Sequence, residues 1–327
     1  MKPSNSQSWG PYRGTGLPGA AREDWPAAPA WRSFDGGPDV PPPPDDPCTA
    51  LLPGAGRQPL PAPPEEVDRV NAALHLRRPL LVTGEPGTGK ASLAHRIGRE
   101  LGLGRVLHWR ITSLSTLREG LYRDGHDCGD GHEGRYARGI RLGPLGTAFL
   151  PHRRPRVLLI DRLDRADIAL PEDLCTVLAG GGFALPCAAP DDLRVATDDH
   201  PSRVVPLPDG IVRCHAFPVV VITTAGERDM PLDLVRRCVT LRTGRPGPAL
   251  LRALAANHFP PGSGPVPAED VVAAFVELAA AAEGPVVERF LDALRLAADG
   301  VLQAVAGSGD RRQAVETLWR WTAPEEP

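Results

Sequence analysis

The sequence predicts an α/β fold: a parallel sheet flanked by helices, followed by a helical C-terminal region and preceded by a disordered arm. Three observations carry this. Short unbroken apolar runs at 79–83, 157–160 and 219–222 read as strands buried on both faces. Helical periodicity separates them. Residues 1–64 show neither period and are rich in proline and glycine.

The arm, residues 1–64, holds 16 of the 38 prolines of the 327-residue chain. Pro41 to Pro44 form a run expected to be stiff polyproline II. Trp9, Tyr12, Trp25, Trp31 and Phe34 also fall here, five of 16 aromatics. Exposed aromatics are costly in water. The arm therefore either docks on its own body or a partner, or is a disordered tail with chance aromatics.

Residues 65–246 are expected to form the α/β domain. Val67, Val70, Ala73 and Leu74 share one face of a helix over Glu65 to Arg78. A buried strand at 79–83, a glycine turn and a helix from Lys90 to Leu101 follow. Arg105 to Thr112 is a further strand, then 157–160 and 219–222. Phe183 to Pro186 and Val204 to Cys214 read as short strands. Residues 247–327 place Val271, Phe275, Leu278, Val287, Phe290, Leu294, Val301, Val315, Leu318 and Trp319 at 3–4 spacing. They predict a small helical domain of three or four helices, punctuated by Gly284-Pro285.

Between the first strand and its helix lies Gly84-Glu85-Pro86-Gly87-Thr88-Gly89-Lys90-Ala91-Ser92. This matches the phosphate-loop pattern G-x-x-x-x-G-K through Lys90. Glycines let successive amides turn onto phosphates, the helix N-terminus adds partial positive charge, and Lys90 reaches the β- and γ-phosphates. Lys90 is one of two lysines in the chain, with Lys2, against 35 arginines. Ala91 stands where Ser or Thr offers a hydroxyl to Mg²⁺. Ser92 comes one residue late, which on a helix turns its side chain about 100° away.

These stretches, GEPGTGKASLA (84–94), RVLLIDRLDRADIALPEDL (156–174) and VVVITTAGERDMPLDLVRRC (219–238), together with Gly143-Pro-Leu-Gly146, resemble the AAA+ superfamily. Within it they look like the MoxR branch, grouped with the dynein-related AAA domains. The resemblance implies a P-loop ATPase domain with a helical lid. It also implies a ring, homo- or hetero-oligomeric and usually hexameric, with ATP between subunits, and remodelling or chaperone-like roles beside a von Willebrand factor A-type partner.

The same resemblance assigns Asp161 to Walker B, holding Mg²⁺ through water. The next position, a glutamate in the family, is Arg162, which cannot accept the water's proton. Loss of such a base costs about 10²–10⁴-fold in rate. The sensor-1 position is Ala225, with Thr224 the polar substitute in reach. Arg236 and Arg237 fall where the family carries its arginine finger, while Arg289 and Arg295 are sensor-2 candidates. The cofactor expected is ATP or ADP, with a weakened Mg²⁺ site at which the Arg162 guanidinium stands in for part of the metal.

The function this implies is a MoxR-like ATP-binding remodelling or regulatory subunit with weak or lost hydrolysis. The alternative is a nucleotide-sensing scaffold, or an inactive partner in a mixed ring that lends Arg236 or Arg237 to a neighbour.

Other classes are excluded or set aside. A net charge of −3 gives no basic field for nucleic acid or anionic membrane. No apolar run reaches the ~18 residues that span a bilayer. The start, MKPSNSQSWG, lacks the apolar core of a secretory signal. Six cysteines without a C-x-x-C read as reduced, in a cytoplasmic protein. His126, Cys128, His132 and Glu133 gather metal-ligand types, but three ligands on a Gly/Asp loop read better as a solvated insert. His152 to Arg156 is basic but short, read as a helix cap entering a strand.

Overall fold

The computed structural model describes residues 9–19, 25–37, 40, 59–124, 140–186, 193–200, 202–262, 264–282, 286–306 and 311–322. Pro41–Pro44, the His126–Glu133 set, Gly284-Pro285 and Cys48, Cys128 and Cys187 lie outside these.

The chain enters the body with α1 (Pro64–Leu76), β1 (Leu80–Thr83), α2 (Lys90–Glu100) and β2 (Leu107–Arg110). An insert then begins with α3 (Leu117–Leu121), β3 (Tyr122–Asp124), β4 (Ile140–Leu142) and α4 (Pro144–Ala148). Next come β5 (Val157–Asp161), α5 (Ala169–Gly180), β6 (Gly182–Ala184), β7 (Arg194–Ala196), β8 (Val204–Pro206) and β9 (Ile211–Arg213). The body closes with β10 (Val219–Thr224), α6 (Leu232–Arg237) and β11 (Val239–Arg242). Five C-terminal helices follow: α7 (Pro248–His258), α8 (Glu269–Ala281), α9 (Val286–Ala298), α10 (Val301–Ala306) and α11 (Arg311–Trp321).

The central sheet is parallel, in the order β11-β1-β10-β5-β2. Val157, Leu158, Leu159 and Ile160 are all fully buried, as expected of a strand covered on both faces. One layer of core packs Leu80, Val82 and Val221 against α1 and α2. The other packs Leu81, Ile160 and Ile222 against α4 and α5. Because the pairing is parallel, the C-terminal ends of β1, β5 and β10 lie side by side. Edge strand β11 has no unbroken apolar run and is absent from the sequence reading. Only its pairing with β1, Leu81 opposite Thr240, makes it a strand.

The insert forms a sheet in the order β3-β4-β7-β8 and an antiparallel β6-β9 pair, so the stretches near 183 and 204–214 contain strands. A buried ion pair ties it to the core: the Arg156 Nη1 donates to Asp199 Oδ2 at 2.6 Å, with both side chains 1 % exposed. The basic stretch 152–156 thus ends inside the protein. His152 is likewise buried. Its ring stays neutral: burial first, then the charge of Arg156 and Arg203, pull its pKa down to about 3.

The C-terminal helices bury their own cluster around Phe275, Phe290 and Leu318. Five helices are described where the periodicity predicts three or four, because α7 and the short α10 carry little periodic signal. In the arm, the described residues correspond to the docked reading. Tyr12 is fully buried, Phe34 stacks on Phe217 at 5.5 Å, and Trp25 lies under the Arg77 guanidinium. Trp31 remains exposed. Among the described residues no helix is long and apolar enough to cross a membrane.

Candidate functional site

The phosphate loop runs from the end of β1 to the first turn of α2. Gly89 caps that helix at φ 82°, a left-handed conformation that glycine adopts without cost. Gly84 is also required, because a Cβ there would overlap Thr243 Oγ1. Lys90 folds back over the loop, its Nζ donating to the carbonyls of Gly84 and Glu85, both at 2.7 Å. Thr88 Oγ1 donates to Glu85 O at 2.9 Å and meets Thr243 Oγ1. Burial pulls the Lys90 ammonium below its ordinary pKa, opposed by the charges of Asp164 and Asp161.

The loop and the C-terminal helices together line a cleft of about 630 Å³. Pro86, Gly87, Thr88, Gly89, Lys90, Ala91 and Ser92 all line it, as do Asp161 and Arg162. Seven of the nine predicted loop residues, with Asp161 and Arg162, are therefore brought to one place; Gly84 and Glu85 are not among the lining residues. The opposite wall comes from α7 and α9, through Leu250, Leu254, Leu291, Glu288 and Asp292.

Asp161 ends β5. Its Oδ1 accepts the Thr223 hydroxyl at 2.6 Å and its Oδ2 faces His108 Nε2 at 3.4 Å. Burial alone would raise its pKa, but these hydrogen bonds outweigh burial and hold the carboxyl below its usual range. Arg162 follows with φ 63° and ψ 51°, left-handed for a residue with a Cβ. Its amide donates to Thr223 Oγ1 at 2.9 Å. Its guanidinium sits 3.6 Å from Glu227, with both side chains about half exposed.

The polar residue at the end of β10 that reaches Asp161 on β5 is Thr223, not the Thr224 read from the sequence. Successive residues of a strand face opposite ways, and Thr224 instead accepts the Gly226 amide. Asp164 is buried and ties down this turn. Its Oδ2 accepts the amides of Ala225, at 2.8 Å, and Glu227, at 3.1 Å.

Ser92 is occupied locally, its hydroxyl donating to Gly89 O at 2.7 Å. Arg236 and Arg237 are exposed at the end of α6, and neither lines the cleft of its own chain. Their carbonyls accept from Arg78, that of Arg237 at 2.8 Å. The two lid arginines also miss the cleft. Arg289 lies over the Trp319 ring, 4.1 Å from its centroid, and Arg295 pairs with Asp299 at 2.8 Å. Sequence reasoning also missed His108, Leu60 and Arg96, whose roles depend on neighbours distant in sequence.

The donors present fit the phosphates of a nucleotide: loop amides, a helix N-terminus and one lysine. They fit Mg²⁺ poorly. One carboxylate, Asp161, faces the loop with its oxygens already engaged, and residue 91 has no hydroxyl.

A phosphate loop between β1 and α2, the parallel five-stranded sheet and the helical C-terminal region together decide the class. The chain has the AAA+ P-loop fold. No protein-family model matches it, and no curated protein does. Among solved structures it is similar to a point mutant of RuvB from Thermotoga maritima, at 14% identity and a TM-score of 0.46. That match covers 79% of this chain and 68% of RuvB. A further structure of the same RuvB, described as a Holliday junction branch migration motor, matches at 15% identity and a TM-score of 0.44. The chain is also similar to NtrX from Brucella abortus in complex with ADP, at 16% identity and a TM-score of 0.34. That match covers 80% of this chain but only 52% of NtrX.

Proposed function

We propose that this chain is a MoxR-like AAA+ subunit that binds ATP or ADP and hydrolyses it weakly or not at all. One observation carries the reading. The phosphate loop and Lys90 open on a cleft in which the residue after Asp161 is an arginine drawn toward Glu227, where a water-orienting carboxylate is needed. Ala91 and Ala225 remove two further groups that handle metal and water. Binding depends on Lys90 and the loop amides, which remain; turnover depends on groups that are gone.

In this reading, phosphate charge is met by Lys90 and the loop amides, because the residues present fit Mg²⁺ poorly. The Arg162 guanidinium would leave Glu227 for a γ-phosphate and meet part of that charge. A second reading, an inactive partner in a mixed ring, is favoured by Arg236 and Arg237. Both are exposed and outside their own chain's cleft, available to a neighbour's.

ADP and ATP titrations with and without EDTA, run beside a phosphate-release assay, test this, with Lys90→Ala as the blank. Binding that survives EDTA, with release no faster than the blank, is the expected result. Mg²⁺-dependent turnover abolished by Lys90→Ala would refute the reading.

A further inference from the structure

The α9 wall of the cleft carries charge of the same sign as a polyphosphate. It lines the cleft with Val287, Glu288, Leu291 and Asp292, which form one stripe of the helix. Glu288 and Asp292 are both exposed. Like charges at i and i+4 on a helix repel, so helix stability does not account for the pair. The arginines of the same helix do not neutralise them. Arg289 lies over the Trp319 ring and donates to Trp319 O at 2.8 Å, and Arg295 pairs with Asp299. Among the described residues no ion pair forms at Glu288 or Asp292.

Two of the three cations that line the cleft are committed elsewhere. Arg96 Nη2 donates to Glu66 Oε1 at 2.7 Å and to the Tyr12 hydroxyl at 3.3 Å, and that hydroxyl donates to Glu66. Arg162 is held 3.6 Å from Glu227. The third cation, Lys90, stands against three lining carboxylates, Asp161, Glu288 and Asp292. A cleft of about 630 Å³ is about 10 Å across, close to one Debye length at 0.1 M salt, so charge on one wall is felt at the other. In a phosphate loop the amides cradle the α- and β-phosphates. A γ-phosphate projects further, adds negative charge among these carboxylates, and has to draw Arg162 from Glu227.

We propose that Glu288 and Asp292 set the specificity of the cleft, favouring a nucleoside diphosphate over the triphosphate, so that the chain holds ADP in preference to ATP. The discrimination is repulsion of the third phosphate by like charge, not a contact that the diphosphate makes and the triphosphate lacks. It rests on the nucleotide-binding reading and adds which nucleotide is bound.

Calorimetric titration of the full chain with ADP and with ATP, in EDTA, reads the preference directly. Wild type is expected to bind ADP about tenfold more tightly than ATP, and the gap should narrow at about 0.5 M salt. Glu288→Gln combined with Asp292→Asn keeps the shape of both side chains and removes their charge. ATP should then tighten about tenfold and ADP by less than about threefold. Glu288→Gln alone should tighten ATP by about threefold and serves if the double variant does not fold. Asp299→Asn removes a carboxylate just beyond the same helix but outside the cleft, and should leave the ADP-to-ATP ratio unchanged. Lys90→Ala should weaken both nucleotides. Equal ADP and ATP affinities in wild type, a ratio unmoved in the folded charge variants, or a preference undiminished by salt overturns this inference alone. Failure of the wild-type chain to bind either nucleotide overturns the nucleotide reading and this inference with it.

Discussion

The Thr223 hydroxyl donates to Asp161 across neighbouring strands at 2.6 Å, and the same oxygen accepts the Arg162 amide at 2.9 Å. One side chain therefore fixes both the Asp161 carboxylate at the end of β5 and the turn that follows it. Thr223→Val preserves shape but leaves the Arg162 amide and an Asp161 oxygen without their partner. A loss of about 1–3 kcal/mol is expected in denaturant unfolding. ADP affinity should change little, because Lys90 and the loop amides are untouched.

In the proposed reading Arg162 occupies the position of the water-orienting group, and restoring a carboxylate there is not expected to restore turnover. Arg162→Glu leaves Ala91 and Ala225 in place. Steady-state phosphate release should stay close to that of Lys90→Ala. A robust rate in the single variant would show that the other two positions matter little.

The Arg156–Asp199 pair predicts a strong effect far from the cleft. Asp199→Asn leaves a guanidinium that is 1 % exposed without its counter-charge. Breaking a buried pair in this way costs about 3–5 kcal/mol. Burial raises the Asp199 pKa, but the charge of Arg156 and hydrogen bonds from Thr197 and Arg156 outweigh it and hold the carboxyl low. A depressed carboxyl stabilises above its unfolded value, about 3.9, and that contribution fades as pH falls through the lower folded value. Chemical denaturation of the variant should therefore show a flatter acid limb than wild type below about pH 4.

His152 acts over a different window. Its folded pKa, about 3, lies below the ordinary value of 6.5, so the unfolded chain takes up a proton first as pH falls. Stability is fully present above that unfolded value and declines toward the folded one, with a slope approaching about 1.4 kcal/mol per pH unit. His152→Leu removes this titration. Its unfolding free energy should gain on wild type as pH is lowered through that window, measured by denaturant titration at several pH values.

The strands around the runs 79–83, 157–160 and 219–222 were legible in the chain alone, because strands buried on both faces read as near-continuous apolar runs. So was the phosphate loop, since its glycines and Lys90 are contiguous along the chain. The substitutions Ala91, Arg162 and Ala225 were equally plain as letters in a local motif. Folding settled what the chain leaves open. Strand β11 exists through its pairing with β1. Thr223 rather than Thr224 faces Asp161 because of strand register. Arg156, read as part of a helix cap entering a strand, is buried because Asp199 comes to meet it. Tyr12, Glu66 and Arg96 become a unit only when the arm lies between α1 and α2. Each of these joins groups well separated in sequence, and composition and periodicity report on neighbours along the chain, not on partners brought together by folding.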